Sequence, residues 1–273
     1  MLVTVDICGG LGNQLFQIFA LIAYALKYNY EFKFNYLDES PSITVRKTYW
    51  NDFLINLQGY TQLNLLIDNI YREPYFNYNH IPFFDSDITL SGYFQSPLHF
   101  IDYYDKIIDL IKLNAIKQEI KEKYNFNNDN SISIHFRLGD YKKLQHTHPI
   151  MPITYYINAL NNIITKTNKN DYNIYYFGED EDIIIIEDQI GLLKKEFNNL
   201  NFISLLSKDI LDWEQLILMS LCSHNIIANS SFSWWGAYFN SNINKIICYP
   251  SLWFNNDLYV NDLFPWSWFK INV

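Results

Sequence analysis

Cysteine, arginine and net positive charge are all scarce in this chain. Its three cysteines, Cys8, Cys222 and Cys248, are odd in number and far apart. They form neither a disulfide framework nor a zinc pattern, and they fit a reducing compartment. Twenty Lys and Arg stand against 29 Asp and Glu, a formal charge of −9. Neither a nucleic-acid surface nor an anionic-membrane surface is expected, because counterion release needs clustered cations. A phosphate-bearing partner therefore has to be held by a small local site. Long apolar runs are missing as well. The longest, Leu15–Leu26, is interrupted by Gln17 and falls short of the ~20 residues of a membrane span. The amino terminus MLVTVDICGG has no basic n-region and reaches a glycine turn too early for a signal peptide. A soluble, cytoplasmic, unanchored protein is the expectation. Neither a Gly-x-Ser-x-Gly elbow nor a His-Glu-x-x-His helix occurs, so hydrolase readings start poorly.

What is present is core-forming material. Of 273 residues, 49% are hydrophobic and 18% aromatic, enough for one large domain or two of about 110–150 residues. Residues 2–7 alternate as a short strand, Gly9, Gly10 and Gly12 make a turn, and an apolar helix runs from Asn13 to about Lys27. That is the opening of a Rossmann-type unit. Phe32–Tyr36 and Ile88–Phe94 read as strands, and Asp102–Lys123 as a helix. The polar stretch Tyr124–Asn130 reads as a linker, dividing the chain into domains 1–123 and 131–273. Beyond it strands and helices alternate. Ser131–Arg137, Asn173–Phe177, Phe202–Leu205, Asn225–Ala228 and Lys245–Tyr249 are the strands; Pro152–Thr165, Asp212–Cys222 and Phe232–Phe239 are the helices. The pattern predicts an α/β fold with a parallel, doubly wound sheet.

Four segments carry chemistry-bearing residues. In Ser131–Tyr141, strand alternation places Ser133, His135 and Arg137 on one side, with Gly139 turning the chain and Asp140 just beyond. Ligands bind at the carboxyl ends of such strands. Arg137, one of only three arginines, needs a partner there. A pyrophosphate matches its planar fork; an internal Arg137–Asp140 pair that pins the turn is the alternative. In Asn229–Ala237, Ser230 and Ser231 sit at a helix start, a ready phosphate site or an ordinary serine cap. The turn holding Gly12 and Asn13 offers close backbone approach and amide donors, yet it is neither a full dinucleotide fingerprint nor a P-loop. Phe177–Asp182 places carboxylates after a strand, where one is able to accept from a nucleoside; Asp180 and Asp182 also spell a possible divalent-metal site. His146 and His148 have no third ligand at metal spacing and read as a surface loop.

Together these segments resemble glycosyltransferase family 11, the α-1,2-fucosyltransferases that use GDP-fucose. The likeness is collinear: GGLGNQLFQ at 9–17, HFRLGDY at 135–141, MPITYYINAL at 151–160, FGED at 177–180, LMSLCSHNIIANSSFSWWGAY at 218–238 and YPSLWF at 249–254. Leu138 stands where the family often has a second arginine, and Gly178-Glu179 where it usually has Ser-Asp. The resemblance implies a GT-B type fold, with two Rossmann-like domains facing a cleft: 1–123 on the acceptor side and 131–273 binding the donor. Acceptor specificity is expected to vary within residues 40–110. It also implies an inverting transferase with no metal and no cofactor beyond the donor GDP-fucose, acting on a glycan acceptor. By this likeness Arg137 lies at the donor phosphates, His135 and Asp180 at the nucleoside, Ser230, Ser231 and Phe232 in the phosphate loop, and Gly12 and Asn13 beside the donor. Asp140 is either a base for the acceptor hydroxyl or an orienter of Arg137, and a departing phosphate oxygen is the other proton acceptor. The alternatives are a metal-dependent nucleotide-sugar transferase using Asp180 and Asp182, and a non-catalytic carbohydrate-binding protein suggested by the many aromatics.

Overall fold

A computed structural model describes residues 1–40 and 45–273; positions 41–44, inside the span expected to vary with acceptor, lie outside the described residues. The chain divides into two compact units, Met1–Ile116 with Leu258–Pro265, and Lys117–Asp257 with Trp266–Val273.

The first unit begins with strand β1 (Leu2–Val5) and helix α1 (Leu11–Tyr28), followed by β2 (Glu31–Phe32), β3 (Phe34–Asn35), β4 (Glu39–Ser40), β5 (Arg46–Lys47), β6 (Thr61–Gln62), β7 (Ile70–Arg72), β8 (Ile88–Ser91) and helix α2 (Tyr104–Ile111). Four strands form a parallel sheet in the order β2-β1-β8-β7. Val3, Thr4 and Val5 are all buried, as expected of a parallel strand covered on both faces. Helix α1 is buried on nearly every side, so its two interior glutamines need internal partners. Gln17 accepts from the Cys8 N–H at 2.9 Å and donates to the Gly92 carbonyl at 3.1 Å. Gln14 donates to the carbonyls of Gly9 and Lys47. Gly9 has φ +76°, and a Cβ there would sit 2.6 Å from Asn13 Nδ2. Both the backbone and the close approach require glycine.

One expectation for this half is corrected. The helix predicted over 102–123 is broken at Lys112, which adopts φ 55° between α2 and helix α3 (Leu113–Lys123). The compact units divide at 116/117, inside α3. The second half of α3 is bound to the second unit by side chains. Lys117 Nζ donates to the Phe239 carbonyl at 2.7 Å, while Lys123 Nζ and Tyr124 Oη both donate to the Glu214 carboxylate.

The second unit contains β9 (Ser131–His135), α4 (Ile153–Thr167), β10 (Asn173–Phe177), α5 (Ile183–Glu196), β11 (Asn201–Ser204), α6 (Asp212–Leu221), β12 (His224–Ile226), α7 (Ser231–Tyr238), β13 (Ile247–Pro250) and β14 (Phe269–Ile271). Its sheet is parallel, in the order β11-β10-β9-β12-β13-β14. That is the 3-2-1-4-5-6 order of doubly wound nucleotide-binding sheets. On one face Ile132, Ile134 and Phe136 pack with Tyr155, Tyr156 and Ala159 of α4 and Ile186 of α5. On the same central strand Ser133 accepts from Asn225 Nδ2 at 2.7 Å, and Asn225 Oδ1 accepts from Asn240 Nδ2 at 2.7 Å, so these buried polar groups are matched. The α/β class and the parallel sheets agree with the sequence reading. Among the described residues no helix is long and apolar enough to cross a membrane.

Helix α7 is anchored by Trp234, which is fully buried and stacks on Tyr238 at 4.5 Å and 12°. Trp234→Ala should destabilise the protein by about 3–5 kcal/mol through the cavity left behind; urea unfolding measures it, and an unchanged midpoint would show that α7 is not held this way.

Candidate active site

In a doubly wound sheet the crevice opens where the strand order reverses, outside the carboxyl ends of the two strands that part there. Here those strands are β9 and β12, adjacent in the sheet while their chain neighbours lie on opposite sides. The segments leaving them are Phe136–Asp140 and Ile227–Ser231. Residues within and bordering these segments are in contact. Tyr141 Oη donates to the Asn229 carbonyl at 3.0 Å, and the rings of His135 and Phe232 lie 5.5 Å apart. The structure thus brings together His135, Arg137, Asp140, Ser230, Ser231 and Phe232. Ser230 is the N-cap of α7 but makes no side-chain cap bond.

Strand β9 ends at His135 rather than at Arg137, although Phe136 N–H still donates to the Phe177 carbonyl at 2.9 Å. Arg137 therefore emerges just past the strand. Its Nη2 donates to Asp140 Oδ1 and its Nη1 to Glu179 Oε1. Its Cζ lies 4.9 Å from the centre of the Tyr141 ring, a favourable cation–π placement. Burial works against the guanidinium charge, but Glu179, Asp140 and Tyr141 together hold its pKa above the ordinary value. The internal pair weighed from sequence is present, with a second carboxylate added. Burial, reinforced by Arg137, pushes the His135 imidazole down to about 3. The ring is neutral at physiological pH, and its buried Nδ1 has no hydrogen-bond partner.

Sequence reasoning chose Asp180 from the acidic loop, whereas the side chain that reaches Arg137 is Glu179. Asp180 is half-buried beside it. Asp182 has a different task. It is 1% exposed, accepts from Gly139 N–H at 2.6 Å through Oδ2, and from Lys142 Nζ through Oδ1. Gly139 has φ +34°, so Asp182 holds the turn that aims Arg137. With both oxygens engaged by donors, Asp182 is poorly placed to share a metal with Asp180. His148 stacks on Tyr141 at 4.5 Å and 21° and meets Phe254 edge-on at 5.3 Å, which places this loop residue behind the arginine. Tyr141 and Glu179 are the residues the reading missed, although both lie within the quoted motifs. Asp182, weighed as a metal ligand, holds the Gly139 turn instead, and His148, read as a surface-loop residue, packs on Tyr141 with nothing local in the sequence to mark it.

Gly12 and Asn13 belong to the first unit. Gly12 is buried in the first turn of α1, and Asn13 Oδ1 accepts from Gln95 Nε2 at 2.9 Å. Gln95 follows β8, so the loops leaving the adjacent strands β1 and β8 are braced to each other. Gln14, the next residue, spends its NH2 group on the Gly9 and Lys47 carbonyls.

The family model described as "Glycosyl transferase family 11" matches residues 2–272. The chain belongs to glycosyl transferase family 11. It is a glycosyltransferase, which sets aside the non-catalytic reading. Among curated relatives, the family 11 chain is 27% identical to the O-antigen biosynthesis glycosyltransferase WbnK of Escherichia coli over 293 residues, covering 90% of this chain and 93% of that one. It is also 27% identical to an α-1,2-colitosyltransferase of Escherichia coli over 191 residues, covering 67% of this chain and 62% of that one. Among solved structures, NodZ α-1,6-fucosyltransferase soaked with GDP-fucose aligns at a TM-score of 0.47 and 11% identity, over 86% of this chain and 91% of that one. A GDP complex of POFUT1 aligns at 0.48 and 10% identity, over 91% and 97%. These structural likenesses are too distant for transfer of residue roles.

Asp182→Asn places an NH2 group against a donor that the carboxylate now satisfies. An unpaired buried donor should cost about 1–3 kcal/mol. The urea midpoint of this family 11 protein should fall accordingly; an unaltered midpoint would mean that the Gly139 turn does not depend on Asp182.

Proposed function

We propose that the chain transfers L-fucose from GDP-fucose to a hydroxyl of a galactoside-type acceptor, forming an α-1,2 linkage with inversion and without a metal ion. The observation that carries this reading is the placement of Arg137 at the carboxyl end of β9, where β9 and β12 part. A guanidinium there presents paired N–H groups to a diphosphate, and α7 adds the positive end of its dipole. Family membership supports glycosyl transfer, and the α-1,2-colitosyltransferase relative supports the linkage.

In the proposed reaction the bond between the sugar C1 and the β-phosphate oxygen breaks, and its electron pair leaves with GDP. The acceptor oxygen bonds to C1 from the opposite face. Its proton passes to a carboxylate or to the departing phosphate. Negative charge grows on the β-phosphate as the sugar ring gains oxocarbenium character. Arg137 and the α7 N-terminus meet that charge with donors already in place, so little reorganisation accompanies the step. Asp140, engaged by Arg137 Nη2, orients the guanidinium. His135, neutral and buried, offers a ring N–H without competing for the negative charge. We place Ser230, Ser231 and Phe232 beside the diphosphate, Asp180 at the nucleoside, and Gly12 and Asn13 on the donor from the first unit. The metal-dependent alternative is disfavoured by the engagement of Asp182 with Gly139 and Lys142.

Incubation with GDP-fucose and a panel of β-galactosides, followed by mass and linkage analysis, tests the reading; absence of transfer to every glycan, with no binding of GDP-fucose, would defeat it. Arg137→Ala should lower kcat/KM by roughly 10²–10³-fold, about 2.7–4 kcal/mol of barrier by analogy with oxyanion donors, while the melting curve stays near wild type. Turnover should be insensitive to EDTA. Inhibition reversed by Mn²⁺ would favour the metal-dependent alternative instead.

A further inference from the structure

Arg137 is only 17% exposed, and carboxylates from two different loops already engage it. Asp140 is part of the same turn, three residues away. Glu179 comes from the separate loop between β10 and α5, and 43% of its side chain is exposed. Its carboxylate occupies a defined slot. A Cβ on Gly139 would sit 2.4 Å from Glu179 Oε2 and 2.9 Å from Oε1. The absent side chain at Gly139 therefore leaves room for one anionic group beside the guanidinium, and Glu179 fills that room. The turn carrying Gly139 is pinned from behind by the buried Asp182, and the guanidinium lies over the Tyr141 ring. The cation and its slot are held, while the half-exposed carboxylate is the part with freedom to leave.

We infer that Glu179 is an internal competitor for the donor diphosphate: in the donor-free protein its carboxylate takes the place of a phosphate oxygen on Arg137, and the arriving diphosphate displaces it. This rests on the donor reading given above and deepens it. A phosphate oxygen makes the same charge-assisted contact with Arg137 Nη1 that the carboxylate makes now. It also brings further anionic oxygens, which a like charge left in place would repel. Exchange of one anion for another keeps Nη1 of the buried guanidinium paired while Asp140 stays on Nη2. The same exchange selects against weakly anionic ligands, because a ligand lacking a strong acceptor has nothing to trade for the carboxylate. The residue thereby sets donor affinity without contacting the sugar.

Calorimetric titration of GDP into the full chain tests this with two variants. Glu179→Gln removes the competing charge but keeps the shape. Glu181→Gln removes an equal charge two residues away on the same loop, from an exposed side chain. Glu179→Gln should tighten GDP binding roughly 5- to 10-fold, and Glu181→Gln should change it less than about twofold. Unchanged or weaker binding by Glu179→Gln would overturn the inference and make Glu179 a positioning residue for Arg137. Equal tightening by both variants would also overturn it, since the effect would then be one of general field. If the wild-type protein binds no GDP, the donor reading fails along with this one. If it binds GDP and Glu179→Gln does not tighten it, only the role of Glu179 fails.

Discussion

A single guanidinium, lying over a tyrosine ring and engaged by carboxylates from two loops, is the constraint around which the carboxyl end of β9 is arranged. Arginine is a weakly hydrated, planar cation that keeps its charge when partly buried, and here it has been brought to the one place in a doubly wound sheet where a crevice is topologically guaranteed. Several features of the unit serve that placement. The strand order reverses between the paired strands β9 and β12, Gly139 turns the chain just past β9, and Asp182 fixes that turn. Tyr141 both supports the guanidinium and ties its loop to Asn229 at the start of the α7 segment.

Both units carry polar groups in apolar surroundings. In the first, Gln14 and Gln17 sit inside a helix buried on nearly all sides; both NH2 groups donate to carbonyls of neighbouring loops, and Gln17 Oε1 accepts from the Cys8 N–H. These bonds stiffen the glycine turn and leave Asn13, braced by Gln95, at the helix entrance. Matching is incomplete in both units: Thr4 Oγ1 and Gln14 Oε1 in the first, and His135 Nδ1 and Asn229 Oδ1 in the second, have no partner. Unsatisfied groups of this kind are costly, and His135 stands two residues before Arg137 at the end of β9.

Much of this was legible in the sequence because it is local. The alternation in Ser131–His135, the glycine turn after β1, the proline-opened helix α4 and the serine-led helix α7 each declare themselves within a dozen residues. The collinear motifs HFRLGDY and NSSFSWW marked the family and pointed to the candidate site. What escaped depends on distance or brevity. Glu179 meets Arg137 across 42 positions, and no pattern in the acidic loop distinguishes it from Asp180. Strands β7 and β14 have three residues each, too few to show a period. Lys112 breaks a helix whose apolar spacing runs on without interruption, and Lys117, Lys123 and Tyr124 make their contacts far along the chain. Helix α5 begins with four isoleucines, of which Ile183, Ile184 and Ile185 are exposed, so its periodicity is masked at the start.

The central claim is that a nucleoside diphosphate engages Arg137. With only Arg46, Arg72 and Arg137 in the chain, the arginine Nε–H signals in a ¹⁵N-labelled sample are few enough to follow individually, and Arg137→Lys identifies the relevant one. Titration with GDP should move the Arg137 signal to saturation while Arg46 and Arg72 stay in place. GDP binding that saturates with the Arg137 signal unmoved would contradict the account.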